Sequence, residues 1–141
     1  LQVATCRPAR PVPVMHVHGT SDLFAPYGGG RGPRSSAGIV HTSVAETVRR
    51  WREVDGCPAR AATLATPDRA DDGTRVTART WGPGRAASEV VLVTVEGGGH
   101  TWPGQRSRVG FLGTISWDVD VNDLMWEFFE RHPLPELAPR R

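Results

Sequence analysis

Two apolar runs that each end in a glycine-containing loop place the strongest constraint on the fold of this chain. Residues 12–17 form the first run and are followed by Gly19 and Asp22; residues 90–95 form the second and are followed by three glycines and His100. Short, mainly apolar runs are typical of strands buried on both faces of a parallel sheet. Functional side chains in such sheets lie just beyond the carboxyl ends of the strands. If the two strands are neighbours, Asp22 and His100 are predicted to meet at one edge of the sheet.

Two amphipathic helices are predicted between and after these strands. The first spans residues 43–54, because Ser43 and Glu46 form a capping box and Gly56 stands where a C-terminal cap belongs. The second helix starts between residues 116 and 120. Its apolar residues recur at i, i+3, i+4, i+7 and i+8, which predicts a stripe that packs on a sheet: Val121, Leu124, Met125, Phe128 and Phe129.

A β-hairpin is predicted between the first helix and the second apolar strand. Residues 60–66 and 74–80 are predicted as its strands, and the Asp-Asp-Gly sequence at 71–73 is a turn signal. Strands that alternate with helices favour the α/β class. We therefore predict a single partial α/β domain over residues 1–141, with helices flanking the sheet and the hairpin as an excursion from it.

Asp22 and His100 are the candidate catalytic residues. A hydroxyl is a poor nucleophile at neutral pH and needs an imidazole to take its proton, and the imidazole needs a carboxylate to fix its tautomer. An acid that precedes the base along the chain is the order found in α/β-hydrolases. The structural alternatives are an aspartate that caps its own turn and a loop histidine bonded to a backbone carbonyl.

No serine of this chain has the sequence context of a nucleophile. A G-x-S-x-G elbow lies between a strand and a helix, whereas residues 19–23 lack the second glycine and no helix follows at once. Ser43 and Ser116 are predicted to be helix caps instead. We therefore expect the nucleophile to lie upstream of Leu1, and we predict that this chain alone is inactive.

His16 and His18 raise the alternative of a zinc-dependent hydrolase. A His-x-His pair on a strand places both rings on one face, and neutral imidazoles bind zinc. The sequence departs from the H-x-H-x-D-H motif of metallo-β-lactamase-like hydrolases, because Thr20 and Ser21 stand at its Asp and His positions. We therefore predict no metal or other cofactor, with His16 in the core of the sheet and His18 stabilising the loop near the site.

Several longer motifs occur together between residues 11 and 133. They are His18-Gly19-Thr20-x-Asp22, Pro26-Tyr27-Gly28-Gly29, Trp51 with Gly56-Cys57, the GGGHTWPG segment at 97–104, and Trp126-x-Phe128-Phe129. This set resembles the C-terminal half of the poly(3-hydroxybutyrate) depolymerase and feruloyl-esterase group of α/β-hydrolases. The resemblance implies a secreted serine esterase in which Asp22 is the triad acid, His100 is the general base and Trp102 lies beside that base. The elbow serine and the oxyanion-hole residues of the group have no counterpart in this chain.

The expected partner is therefore an ester substrate, either a polyester or a feruloyl or other acyl ester of plant cell walls. Trp102, Pro26 and Tyr27 are expected to line its pocket, with loop packing as the alternative for each. A noncatalytic remnant that binds polyester or carbohydrate is the alternative function. Nucleic-acid binding is not expected, because the net charge is only +2 and arginines are interleaved with acidic residues. No apolar run has the length of a membrane span.

The two cysteines, Cys6 and Cys57, are a candidate disulfide. Cys6 precedes the first strand, and Cys57 follows the helix that comes after it. A helix that crosses back over a parallel sheet ends near the start of its strand, so the two thiols are able to meet. Free thiols, or pairing with a cysteine elsewhere, are the alternatives. A bridge would fit the oxidising environment of a secreted protein.

Overall fold

The structure, a computed structural model, describes residues 8–36 and 38–134. The described elements are six strands, two α-helices and two short 3₁₀ turns at Arg85–Ala87 and Gly110–Leu112. In chain order the strands and helices are β1 (Val14–Gly19), β2 (Gly30–Arg31), β3 (Val40–His41), α1 (Val44–Asp55), β4 (Ala62–Ala65), β5 (Arg75–Trp81), β6 (Val90–Glu96) and α2 (Val121–Arg131).

A four-stranded mixed sheet in the order β1-β6-β5-β4 forms the centre of the fold. The two apolar strands predicted from the sequence, β1 and β6, are parallel neighbours, with Val14 opposite Val90 and Gly19 opposite Val95. The hairpin predicted as an excursion belongs to this sheet, because β5 pairs antiparallel along the whole length of β6. The fold is α/β, with a mixed sheet and two helices.

The two faces of β6 bury different residues because successive side chains of a strand point to opposite faces. Val90 and Leu92 pack with α1, whereas Val91, Val93 and Val95 pack with Phe128 of α2. The helices therefore cover opposite faces of the sheet. Each of these buried side chains contributes about 1.5–3 kcal/mol of hydrophobic stabilisation. Apolar residues of β6 point to both faces of the sheet because a helix covers each face.

Both helices begin at a side-chain cap. Ser43 accepts a hydrogen bond from the backbone N–H of Glu46, and Gly56 ends α1 with φ at 67°, a conformation that glycine adopts without strain. Asp120, and not Ser116, caps α2. The prediction for Ser116 was wrong because this serine is fully buried and its hydroxyl is hydrogen-bonded to that of Thr74, 2.7 Å away.

The stripe predicted on α2 is only partly buried. Val121 and Phe128 lie in the core and Leu124 packs against it, whereas the side chain of Phe129 is 55% exposed. A small antiparallel pair, β2 with β3, lies between β1 and α1, where no strand was predicted. Strands of two residues carry no readable periodicity, so the sequence did not indicate them.

The pairing predicted for Cys6 and Cys57 falls outside the described residues, because Cys6 precedes them. Cys57 itself packs beside the core cluster under α1. Neither helix of the described ranges is long and apolar enough to cross a bilayer.

Candidate active site at the ends of two parallel strands

The loops that follow β1 and β6 lie side by side at the carboxyl edge of the sheet. The N–H of Ser21 donates to the carbonyl of Gly98 at 2.9 Å, and the Thr20 hydroxyl accepts from the N–H of Gly97 at 2.9 Å. Parallel pairing of β1 with β6 brings both strand ends to the same edge. The two loops therefore meet although almost eighty residues separate them.

Gly19 permits this close approach. A Cβ atom at Gly19 would lie 2.3 Å from the carbonyl oxygen of Gly98 and 2.6 Å from that of Gly99. Both neighbours are backbone atoms of the loop that carries His100, so a side chain at position 19 would push the two loops apart. The glycine of the HGT segment is thus required by packing at the site.

Asp22 and His100 form a direct hydrogen bond across the two loops. Nδ1 of His100 donates to Oδ2 of Asp22 at 2.7 Å. The other carboxylate oxygen, Oδ1, accepts from the backbone N–H groups of Phe24 at 2.8 Å and Ala25 at 2.9 Å. Asp22 therefore caps its own turn and also binds the imidazole of His100.

The same contacts keep Asp22 charged. Burial by itself raises the pKa of a carboxyl group, but the hydrogen bonds from Ala25, His100 and Phe24 together outweigh it and hold the pKa of Asp22 below its ordinary value. A carboxylate in this state orients an imidazole and stabilises its cation, which is the chemistry that a general base requires.

The edge of the His100 ring opposite Nδ1 carries the second ring nitrogen, Nε2. Within residues 8–36 and 38–134, no side chain or backbone group forms a hydrogen bond with Nε2 of His100. The ring centroid lies 5.3 Å from that of Phe24, and the backbone N–H of His100 donates to the carbonyl of Leu112 at 2.7 Å. These contacts hold the ring and its loop without engaging Nε2.

A cleft of about 520 Å³ opens beside this pair. Asp22, His100 and Trp102 are among the residues that line it, together with His18, Arg106 and Leu112. Trp102 is 48% exposed, and its indole N–H donates to Oδ1 of Asn122 at 3.0 Å. An exposed indole fixed at one edge offers a flat apolar wall to a ligand.

Pro26 and Tyr27, which the sequence analysis placed at a substrate pocket, are not among the residues that line this cleft. The Tyr27 side chain packs against the core cluster under α1, and its hydroxyl lies 2.9 Å from that of Thr94. Tyr27 therefore ties the loop after β1 to strand β6 of the sheet.

His16 and His18 lie together on one face of β1, as the strand period predicts. Nε2 of His16 lies 3.1 Å from Nδ1 of His18, and Nε2 of His18 lies 2.7 Å from the carbonyl oxygen of Ala25. Their facing ring nitrogens are therefore engaged with each other and with backbone. No group of three or more His, Cys, Asp or Glu side chains in the described ranges is arranged to hold a metal ion.

The backbone donors at Phe24 and Ala25 are the site groups that the sequence analysis missed. Backbone N–H groups carry no side-chain signature. The signal that indicates them is Asp22 itself, because an aspartate at the start of a turn commonly accepts from the N–H groups two and three residues later.

Comparisons with known proteins find a similarity to an esterase-type protein. No protein-family model matches the chain. Over 134 residues it is 34% identical to a curated protein named "Putative esterase NocK" from Nocardia uniformis subsp. tsuyamanensis. The match covers 89% of this chain and 39% of that protein, so the chain spans well under half the length of the curated relative it matches. This similarity supports a relationship to an esterase-type protein.

Proposed function

We propose that this chain supplies the acid and the base of an ester hydrolase of the Ser-Asp-His type. The observation that carries the proposal is the 2.7 Å hydrogen bond from Nδ1 of His100 to a buried, charged Asp22, with Nε2 of His100 left unpaired by the described residues. The similarity to an esterase-type protein supports the same reaction. A carboxylate-held imidazole beside an open cleft fits general base catalysis of acyl transfer.

In the proposed reaction, Nε2 of His100 takes the proton of a serine hydroxyl as its oxygen attacks the ester carbonyl. The tetrahedral intermediate collapses, and the imidazolium gives that proton to the leaving alcohol. Water then attacks the acyl-enzyme, with His100 first accepting and then returning a proton, and the carboxylic acid is released. Asp22 keeps the ring oriented and stabilises its positive charge throughout.

The proposal places the nucleophilic serine outside this chain, in the complete protein. None of the hydroxyls in the described ranges forms a hydrogen bond with Nε2 of His100, and no serine of the sequence lies in an elbow motif. The proposal also places the hydrogen-bond donors that stabilise the oxyanion outside this chain, in the complete protein. We further propose polyester or feruloyl and other acyl esters as substrates, with Trp102 as one wall of the acyl or aryl site.

The test measures hydrolysis of p-nitrophenyl acetate and butyrate by the complete protein. We expect His100→Ala to lower kcat by about 10⁴-fold or more, because the base acts on every step. His41→Ala is the matched control, since this second imidazole lies on β3 and does not line the cleft. Equal activity of the His100 variant and the control would overturn the proposal, as would clear turnover by this chain alone.

A further inference from the structure

Two histidines of β1, next to the site, form a series of contacts that the proposed reaction does not use. The rings of His16 and His18 are stacked, with centroids 5.3 Å apart and planes 14° from parallel. His16 Nε2 meets His18 Nδ1 at 3.1 Å, and His18 Nε2 meets the Ala25 carbonyl at 2.7 Å. This series of contacts ends at Ala25, whose N–H donates to Asp22.

The direction of these hydrogen bonds follows from the acceptor at the end of this series of contacts. A carbonyl oxygen only accepts, so Nε2 of His18 carries the proton. When His18 is neutral it has one N–H, which leaves its Nδ1 as an acceptor and makes Nε2 of His16 the donor. Burial, and repulsion from His18 whenever that ring is charged, lower the pKa of His16 to about 4, so His16 stays neutral at neutral pH.

His18 therefore holds the turn that presents the carboxylate. Ala25 is bound at both of its backbone groups: its N–H donates to Oδ1 of Asp22, and its carbonyl accepts from His18. Nε2 of His18 also lies 3.6 Å from Oδ2 of Asp22, the oxygen that binds His100. The side chains of His18 and Asp22 are 16% and 5% exposed, so little water competes with these contacts.

We propose that His18 is a positioning residue for the Asp22–His100 pair and that His16 fixes the tautomer in which His18 does this. The kinetic part of this inference rests on the proposed function, whereas the tautomers and the Asp22–His100 hydrogen bond are measurable without any substrate.

The kinetic test compares His18→Leu with His18→Gln in the complete protein. Leucine removes the donor, and we expect kcat to fall about tenfold to a hundredfold through misplacement of Asp22, with KM little changed. Glutamine carries an amide N–H at a similar reach to Nε2 and is expected to restore most of the loss. Thr94→Val is the control, because it changes the cross-strand neighbour of His18 and removes the hydroxyl that meets Tyr27, whose ring packs edge-on against His18, but leaves the hydrogen-bonding atoms of the two histidines in place. A His18→Leu protein that matches Thr94→Val in kcat at equal melting temperature would overturn the inference.

The second test records imidazole ¹⁵N–¹H spectra of the complete protein, without substrate. We expect His18 to carry its proton on Nε2 with Nδ1 bare, and His16→Leu to disturb this tautomer whereas His16→Gln preserves it. We also expect the Nδ1–H resonance of His100 to broaden or exchange faster in His18→Leu than in Thr94→Val. A protonated Nδ1 on neutral His18 in the unmutated protein, or an unchanged His100 resonance, would overturn the inference. If esterase activity is absent but these spectra hold, the proposed function fails and the positioning of Asp22 by His18 stands.

Discussion

The carboxylate of Asp22 is 5% exposed, whereas the imidazole of His100 that it binds is 50% exposed. The pair is therefore anchored at one end and open at the other. The buried end is fixed by two backbone N–H groups and by the turn at 22–25. The open end faces the cleft, where Nε2 of His100 is able to meet a substrate or a nucleophile. This asymmetry is what distinguishes the contact from a surface ion pair, in which both partners are solvated.

Asp22→Asn should lower kcat of the complete protein by about 10⁴-fold with a small change in KM. An asparagine keeps the size of the side chain, but its amide is uncharged and no longer selects the tautomer of His100 that leaves Nε2 free to accept a proton. Steady-state kinetics with p-nitrophenyl butyrate measure the change. Asp123→Asn, an exposed change in the first turn of α2, should leave kcat unaltered. Comparable kcat in the two variants would contradict the role given to Asp22.

The stabilising effect of Asp22 should depend on pH. Hydrogen bonds hold its pKa in the folded state below the unfolded value of about 4, so its contribution is complete above that value and is lost as pH falls through the folded pKa. The difference in free energy of unfolding between the unmutated chain and Asp22→Asn should therefore be largest near neutral pH and shrink below about pH 4. Urea unfolding across this range measures it. A difference in free energy of unfolding that grows on acidification would contradict a lowered pKa of Asp22 in the folded state.

Gly19→Ala should disturb the candidate site more than it disturbs α1 or α2. The new methyl group would meet two backbone carbonyls at 2.3 and 2.6 Å, and overpacking of this kind costs about 1–3 kcal/mol. Because the strained atoms belong to the loops of Asp22 and His100, we also expect kcat to fall roughly tenfold or more. At Gly28 a Cβ meets no atom within 4 Å, so Gly28→Ala is the matched control. Thermal unfolding and steady-state kinetics of the two variants measure both effects, and equal stability and equal kcat in the two would contradict the prediction.

Ser43→Ala should destabilise the fold by about 1 kcal/mol, because the N–H of Glu46 loses its side-chain acceptor. Ser43→Asp should recover this loss, since aspartate is an equally good cap and its charge favours the amino end of a helix. Denaturant unfolding of the three proteins measures the effect. An alanine variant as stable as the unmutated chain would mean that water replaces the cap at no cost.

The local elements were predictable where one short-range signal dominates. The apolar run at 90–95 lies in β6, and the capping residue and C-terminal glycine bound α1 as predicted. Prediction failed where neighbours distant in sequence compete. Ser116 resembles a helix cap in sequence, yet it is drawn into a buried contact with Thr74 that no local pattern reports.

What the sequence determined by itself was the two helices, the four strands of the central sheet and the two residue types, a carboxylate and an imidazole, that follow the apolar strands. Hydrophobic periodicity and capping act over a few residues, and they are readable without coordinates. Only the tertiary structure decided that Oδ2 of Asp22 and Nδ1 of His100 lie 2.7 Å apart. That distance depends on which strands pair, in which register, and on how closely Gly19 lets two loops approach, and these are properties of packing between segments almost eighty residues apart.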